Sequence, residues 1–136
     1  MSADLNKLVH SGRLPSWHIL RGKAAFEQIF REGRVLPGTC LIMRYLTLPD
    51  KPLDKRVGFI TGKRLGKAVL RNRLKRYMRE AYRTNKSHMS ELLIQQDFGL
   101  HFLFIVRSAT VARNDIERDC CKLMSRLQNR LLPVKD

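Results

Sequence analysis

The chain has 136 residues, of which 27 are Lys or Arg and 12 are Asp or Glu, so its formal net charge at pH 7 is +15. This length suits one domain with a real core, and 43% hydrophobic residues exclude a disordered basic tail. The longest apolar run, residues 102–106, is far shorter than the roughly 18 residues that a membrane span needs, and residues 1–10 carry no apolar signal segment. We therefore expect a soluble, cytoplasmic protein that binds a polyanion.

The positive charge is concentrated in one short segment. Residues 63–83 hold nine bases and a single acid, Glu80, and contribute +8 to the net charge. Charge of one sign at this density repels itself unless a polyanion neutralises it. The alternative interpretation of the segment is a charged helix face that is only solvated. The distribution therefore predicts where the polyanion binds.

The first half of the chain predicts one helix followed by strands. Residues 1–15 show no sustained period, which predicts a flexible tail before a single domain at residues 16–136. Apolar residues at helical spacing predict a helix from about Arg21 to Arg31, ended by Gly33. Strands are predicted at residues 40–48 and 56–61, with a short additional one near residues 35 and 36.

The second half predicts a helix, a strand and a final helix. A glycine-bracketed basic loop, residues 62–66, leads into a helix at about residues 67–85. Its apolar stripe is predicted to be Leu70, Leu74, Tyr77, Met78 and Ala81. A loop with some helical tendency, a buried strand and a helix capped by Asn114 or Asp115 are expected at residues 87–98, 101–107 and up to about 132. This order predicts an α+β sandwich in which the basic helix crosses between two strands of one sheet.

Side chains that carry catalysis in other proteins are not grouped at useful spacings here. The acids are scattered, and the histidines share no ligand or triad spacing. His10 and His18 are expected at the surface, His101 at a strand edge, and the three cysteines as buried, reduced thiols. We therefore predict no catalytic residue and no metal site on this chain.

Phosphate binding fits the basic segment better. Residues 62–67, GKRLGK, place glycine amides and three bases before a helix N-terminus, which favours anions, and the spacing is not that of a P-loop. Arginine donates forked hydrogen bonds to phosphate, and Asn72 either contacts a base edge or ribose or faces solvent. Phe26 and Phe30 share one helix face, as a core pair or as a surface on which single-stranded nucleic acid stacks.

Residues 63–83, KRLGKAVLRNRLKRYMREAYR, resemble the signature of the bacterial ribonuclease P protein family, centred on Arg71, Asn72 and Arg73. The similarity continues through AAFEQIFREGR, RVGFITGKR and FLFIVR and covers about residues 14–132. It implies an α+β, two-layer sandwich of order αβββαβα with a left-handed βαβ crossover, as in the second domain of ribosomal protein S5. Such a crossover has the opposite hand to nearly all others.

The resemblance also implies a function in which this chain is not the catalyst. In the family, a large catalytic RNA with bound Mg²⁺ hydrolyses precursor tRNA to free the mature 5′ end, and the protein binds that RNA and the 5′ leader. The implied partners are the catalytic RNA and precursor tRNA, with no membrane and no protein partner, and Mg²⁺ is expected on the RNA. The alternative is a basic ribosomal or general RNA-binding protein without a nuclease partner, which does not explain the Arg-Asn-Arg spacing.

Two groups of site residues follow from the resemblance, position by position. The group that binds RNA is Lys63, Arg64, Lys67, Arg71, Asn72, Arg73, Lys75, Arg76 and Arg79. The group that lines a cleft for the leader is Phe26, Phe30, Arg44 and Tyr45. An ungapped comparison puts Arg44 where many members carry Tyr, whereas a one-residue slip puts Tyr45 there. The slip would reverse which strand face lines the cleft.

Overall fold

The computed structural model describes Leu5, residues 7–9 and residues 12–132. The helices are α1 (Lys23–Glu32), α2 (Ala68–Asn85), α3 (Ser90–Ile94) and α4 (Arg113–Leu131). The strands are β1 (Arg34–Pro37), β2 (Leu41–Leu48), β3 (Lys55–Ile60) and β4 (Gly99–Val106). Short 3-10 turns lie at Ser16–His18, Lys63–Leu65 and Lys86–Met89. Among the described residues, no helix is both long enough and apolar enough to cross a membrane.

The predicted order of elements is confirmed. The structure adds the short helix α3, in the stretch that the sequence predicts as a loop with helical tendency, and residues 7–9 are also helical. The last helix, α4, begins at Arg113, which is earlier than expected. Its N-cap is Ala112, and no side chain caps the helix. The prediction that Asn114 or Asp115 caps this helix is therefore wrong.

The four strands form one sheet in the order β1-β2-β4-β3. β2 is antiparallel to β1 and β4, whereas β3 and β4 are parallel neighbours. Parallel neighbours require a crossover, and the chain makes it through α2 and α3. The predicted role of the basic helix is thus confirmed, and the left hand of the crossover stays a prediction.

The two faces of the sheet are covered differently. Side chains alternate along a strand, so Phe102 and Phe104 of β4 point to one face and Leu103 to the other. The first face packs against α2, α3 and α4 in a large cluster, here called the main core. The second face carries a small cluster under α1, formed by Leu20, Ile29 and Leu103 and here called the α1 cluster.

His18 lies inside the main core, which corrects its predicted place at the surface. Its ring is fully buried, stacks on Tyr82 at 5.7 Å between centroids and meets Phe102 edge-on at 6.4 Å. Nδ1 lies 2.7 Å from the carbonyl oxygen of Lys55, so it donates, and Nε2 accepts a hydrogen bond of 2.7 Å from the Tyr82 hydroxyl. Burial lowers the pKa of His18 from 6.5 to about 4 and keeps the ring neutral.

His101 also differs from its predicted place at a strand edge. β4 lies between β2 and β3, so His101 is in the middle of the sheet. Its Nε2 lies 3.1 Å from Oδ2 of Asp54, and Nε of Arg56 donates to Oδ1 of the same carboxylate at 2.9 Å. Burial opposes ionisation of Asp54, but these two partners outweigh it and hold the pKa of Asp54 below its usual value.

The cysteines are free, as predicted, and Cys40 and Cys120 are buried, whereas Cys121 is half-buried. Burial raises the pKa of the Cys40 thiol to about 11, so it remains protonated at neutral pH. Beside it, Asp119 of α4 accepts hydrogen bonds from the backbone N–H groups of Cys40 and Leu41 at 2.9 and 2.8 Å. This buried carboxylate therefore attaches the start of β2 to α4.

Part of the predicted N-terminal tail lies on the domain. Leu5 and Leu8 are buried, and Leu8 belongs to the main core. Burial does not measure motion, so the flexibility of residues 1–15 stays a prediction. His10 lies outside the described residues.

Candidate nucleic-acid interface

The buried stripe of α2 places its charged residues on the outside of the protein. Leu74, Met78 and Ala81 are buried, and Leu70 and Tyr77 are half-buried against the main core, as the spacing predicts. Tyr82 is fully buried as well, although the sequence analysis missed it. It stands four residues after Met78, so the same helical spacing would have found it.

The nine residues predicted to bind RNA lie on or just before this helix, and they are here called the basic surface. Eight are exposed: Lys63, Arg64, Lys67, Asn72, Arg73, Lys75, Arg76 and Arg79. None of these cations forms an ion pair with an acid that the structure describes. Their charge is therefore uncompensated within the described protein, as expected for a surface that binds a polyanion.

Arg71, the ninth residue, is half-buried and helps to shape the loop before α2. Its Nε donates a hydrogen bond of 3.1 Å to the carbonyl oxygen of Gly66. The first turn of α2 has no acidic residue, and no side chain caps its N-terminus. The helix dipole therefore adds to the positive potential of the surrounding cations.

The single acid of the basic segment does not weaken this surface. Both Nε and Nη2 of Arg83 donate to Oε2 of Glu80, at 3.0 and 2.7 Å. These hydrogen bonds hold the pKa of Glu80 below its usual value. Glu80 is thus paired within α2, and the exposed cations of the basic surface have no ion-pair partner among the described acids.

The two phenylalanines of α1 have different roles. Phe26 is half-buried on the α1 cluster, where a Cβ added to Gly58 would lie 2.6 Å from Cδ2 of Leu103 and 3.1 Å from Cε1 of Phe26. A side chain at position 58 would press on the Leu103 and Phe26 side chains, so glycine lets the Phe26 ring lie close to β3. Phe30 is 45% exposed, so of the two alternatives the core applies to Phe26 and the open surface to Phe30.

Arg44 of β2 lies beside Phe30. Its Nη1 donates a hydrogen bond of 3.2 Å to the backbone carbonyl oxygen of Phe30, and its guanidinium carbon is 4.9 Å from the centre of the Phe30 ring. Together, Phe26, Phe30 and Arg44 form the candidate cleft. It offers an aromatic face and a cation to the same ligand.

Tyr45 does not line this cleft, which corrects one of the two strand candidates. The next residue along a strand points to the opposite face, and Tyr45 is 3% exposed in the main core. Its hydroxyl accepts a hydrogen bond of 3.2 Å from Nη1 of Arg130 on α4. The ungapped comparison, which selects Arg44, is therefore the one that agrees with the geometry.

The described residues include no group of three or more His, Cys, Asp or Glu placed to hold a metal ion. The side chains of the basic surface and the cleft supply hydrogen-bond donors, positive charge and an aromatic face. In other proteins, groups of these kinds bind and orient RNA chains.

Known proteins resemble this chain over nearly its whole length. The family model described as ribonuclease P matches residues 14–128, which include the basic surface and the cleft. The chain belongs to the ribonuclease P protein family. The ribonuclease P protein component of Chlorobaculum tepidum is 34% identical over 129 residues, covering 87% of this chain and 82% of that protein. That of Chloroflexus aggregans is 35% identical over 108 residues, covering 77% and 73%.

Solved structures of this family have the same fold. The RNase P protein of Thermotoga maritima aligns with a TM-score of 0.62 and 25% identity, covering 79% of this chain and 96% of that one. The RNase P protein of Staphylococcus aureus aligns with a TM-score of 0.63 and 22% identity, covering 82% and 95%. The resemblance and the α+β fold that the sequence predicts are therefore confirmed. Family membership gives the chain a subunit role in tRNA 5′ processing, with which RNA binding by the basic surface is consistent.

Proposed function

We propose that this ribonuclease P protein binds the catalytic RNA through its basic surface and the 5′ leader of precursor tRNA in the cleft of Phe26, Phe30 and Arg44. Hydrolysis belongs to the RNA and its Mg²⁺, and no side chain of this chain is catalytic. The observation that carries the proposal is the exposed Phe30 ring with the Arg44 guanidinium 4.9 Å from its centre. The same chain has a separate surface of cations that form no ion pair with a described acid.

The basic surface supplies affinity for RNA. Each phosphate that a Lys or Arg neutralises releases counterions, so the logarithm of the affinity falls with the logarithm of salt by about 0.7–0.9 per contact. The same neutralisation lowers repulsion between the catalytic RNA and precursor tRNA. It therefore reduces the Mg²⁺ concentration that the RNA needs.

The cleft supplies selectivity. Mature tRNA has no leader, so any free energy gained from the leader favours substrate over product. Stacking of one base on an aromatic ring contributes about 1–3 kcal/mol, and Arg44 adds a donor for the adjacent phosphate. One stacked base is thus enough to distinguish precursor from product.

This role sets the remaining parts of the proposal. The protein acts in the cytoplasm with tRNA maturation, its partners are two RNAs, and it needs neither a membrane nor a protein partner. Mg²⁺ is the cofactor of the holoenzyme and is bound by the catalytic RNA.

Reconstitution tests the assignment of catalysis. The chain alone should not cleave precursor tRNA, the catalytic RNA alone should cleave only at high Mg²⁺, and the two together should cleave at low Mg²⁺. Cleavage by the chain alone, or an RNA whose Mg²⁺ requirement the chain does not change, would contradict the proposal.

Phe30→Ala tests the cleft. The ratio of holoenzyme affinities for precursor and mature tRNA should fall by about fivefold or more, because about 1 kcal/mol or more of stacking is lost. Ile94→Ala is the matched control, since Ile94 is 41% exposed on α3, outside the basic surface and the cleft. An unchanged ratio for Phe30→Ala would favour a general RNA-binding protein instead.

A further inference from the structure

An open pocket of about 520 Å³ lies beside the start of β3, outside the basic surface and the cleft. Its apolar walls are Leu5, Trp17, Pro52 and Leu53. Its other lining residues are Lys51, Asp54, Lys55 and Arg56. Trp17 is the single tryptophan of the chain and is 38% exposed. This space is here called the Trp17 pocket, and its exposed indole offers a ligand a large aromatic surface.

Backbone hydrogen bonds fix the turn that forms one side of the Trp17 pocket. The N–H of Asp54 donates to the carbonyl oxygen of Lys51 at 3.0 Å, and the N–H of Leu100 donates to that of Asp54 at 2.8 Å. A Cβ added at Gly99 would overlap the carbonyl oxygen of Lys51, so glycine lets the turn pack closely against β4. The turn therefore has its shape without a ligand, as is usual for sites that bind small groups.

The charged groups of the Trp17 pocket favour an anion. Its one acid, Asp54, is held by two partners, since Nε of Arg56 donates to Oδ1 at 2.9 Å and Nε2 of His101 lies 3.1 Å from Oδ2. Lys51 is exposed and forms no ion pair with a described acid. An aromatic wall beside a cation matches an unpaired nucleotide, because its base stacks on the ring and its phosphate is an anion.

The register of the sheet places the Trp17 pocket in line with the cleft. Arg44 and Gly58 both pair with Leu103, so they lie in one row across the sheet, and this row carries the cleft. Arg56 lies two residues before Gly58 on the same face, about 6.6 Å further along β3, and lines the pocket. The basic surface follows the opposite end of β3. The cleft therefore lies between the basic surface and the Trp17 pocket.

We propose that the Trp17 pocket holds one unpaired nucleotide of the precursor tRNA leader, with its base against Trp17 and its phosphate near Lys51. The inference rests on the proposed function and adds a second leader site to it, beyond the cleft. Cleavage takes place on the catalytic RNA, which binds at the other end of β3. Nucleotides near the cleavage site therefore lie in the cleft, and only nucleotides farther into the leader reach the pocket.

The fluorescence of Trp17 tests this occupancy directly, because no other residue of the chain is a tryptophan. Holoenzyme is mixed with mature tRNA and with precursor tRNAs whose leaders are lengthened one nucleotide at a time. Emission should stay unchanged with mature tRNA and with short leaders, and it should be quenched once the leader exceeds a fixed length. Unchanged emission at every length, or quenching by mature tRNA, would overturn the proposal. Equal quenching by a mononucleotide at the same concentration would also overturn it, because the pocket would then take a free nucleotide.

Trp17→Ala measures what the stacked base contributes, with Ile94→Ala as the matched control. Ile94 is 41% exposed on α3 and does not line the pocket. The ratio of holoenzyme affinities for long-leader and short-leader precursor should fall about fivefold or more in Trp17→Ala and stay unchanged in Ile94→Ala. Trp17→Phe keeps an aromatic face and should retain most of the ratio. The proposal fails if Trp17→Ala leaves the ratio unchanged or if Trp17→Phe lowers it equally.

This ratio does not depend on the fraction of the chain that is folded. Trp17 meets the His18 ring edge-on, with 5.8 Å between centroids, so its removal also affects stability. A loss of folded protein lowers the apparent binding of both precursors alike and leaves their ratio unchanged. The ratio therefore separates a lost leader contact from a lost structural contact.

Lys51→Ala tests the phosphate, with Lys122→Ala, which removes an exposed cation on α4, as the matched control. The logarithm of holoenzyme affinity for long-leader precursor is plotted against the logarithm of salt. Lys51→Ala should reduce this slope by about 0.7, the value of one phosphate contact on a single strand, whereas Lys122→Ala should not change it. Equal slopes in the two variants would overturn the placement of the phosphate near Lys51.

Phe30→Ala separates a failure of this proposal from a failure of the proposed function. Phe30 belongs to the cleft, so its removal should weaken the binding of precursors with short leaders as well as long ones. If Phe30→Ala has this effect and Trp17→Ala has none, the leader binds in the cleft and does not reach the Trp17 pocket. If neither variant changes precursor binding, the proposed leader cleft fails together with the pocket.

Discussion

The two faces of the sheet are built from the same strands but differ in what covers them. In β4, Phe102 and Phe104 are completely buried under α2 and α4, whereas the neighbouring Ile105 is only half-buried beside α1. The face under α2 and α4 carries the main core, with its group of packed aromatic rings. The other face is covered by one helix of ten residues, and Phe30 and Arg44 remain accessible at its side.

This difference places the main source of stability on one face and the proposed binding cleft on the other. Burial of large apolar side chains is the main source of folding free energy, and the main core contains most of it. An incompletely covered face retains aromatic and cationic groups that a ligand covers instead. Because side chains alternate, a shift of one residue along a strand moves a side chain from one role to the other.

The largest expected effect comes from opening the covered face. Phe104 is fully buried, with ring centroids 5.9 to 6.1 Å from those of Tyr82, Phe102 and Phe59. Phe104→Ala removes the ring and leaves a cavity, so the free energy of unfolding should fall by about 3–5 kcal/mol. Chemical denaturation followed by circular dichroism measures this loss.

Phe30→Ala is the counterpart on the open face. Phe30 is 45% exposed and contacts Arg44, so its removal should lower the free energy of unfolding by less than about 1 kcal/mol. Equal losses for the two variants would mean that the two faces do not divide stability and binding as inferred here.

A buried polar group gives the covered face a dependence on pH. The pKa of His18 is about 4 in the folded protein and 6.5 as its ordinary value, so the unfolded chain binds more protons between these values. The stability from this residue is present above pH 6.5 and is lost as the pH falls towards 4. Its contribution to the slope of unfolding free energy approaches about 1.4 kcal/mol per pH unit.

His18→Gln tests this dependence because glutamine does not titrate. Between pH 4.5 and 6.5 the variant should show a flatter plot of unfolding free energy against pH than the unaltered chain. The variant will also be less stable at pH 7, because the hydrogen bonds to Lys55 and Tyr82 are disturbed. The two proteins are therefore compared by the slope of unfolding free energy against pH, not by their stability at one pH. Equal slopes would contradict the assignment of this pH dependence to His18.

Local sequence patterns were enough to predict the order of helices and strands and the exposed cations of α2. A helix with apolar residues three and four apart must turn its remaining residues outwards, so Lys75, Arg76 and Arg79 follow from the stripe of Leu74 and Met78. The crossover also followed, because a long helix separated two apolar strand segments.

Residues whose surroundings come from distant parts of the chain could not be placed in this way. The partners of His18 are 37 and 64 residues away, and nothing near it in the sequence indicates that it is buried. The facing of β2 was ambiguous because its apolar residues are almost continuous, so alternation did not distinguish Arg44 from Tyr45. Arg21 and Arg79 likewise line one pocket, and only the fold brings them together.

The sharpest test of the two faces uses the adjacent residues Arg44 and Tyr45. Arg44→Gln removes the cation beside Phe30, so holoenzyme affinity for precursor tRNA should fall about fivefold, equivalent to about 1 kcal/mol, while affinity for mature tRNA is unchanged. Tyr45→Phe removes only the hydrogen bond that Arg130 donates, so it should lower the free energy of unfolding by no more than about 1 kcal/mol and leave leader binding intact. The opposite result, with Tyr45→Phe weakening only precursor binding, would require the other face of β2 to meet the leader. That face is closed by α4, so the leader would have to displace a helix before it could bind. The barrier to this displacement would make binding slow.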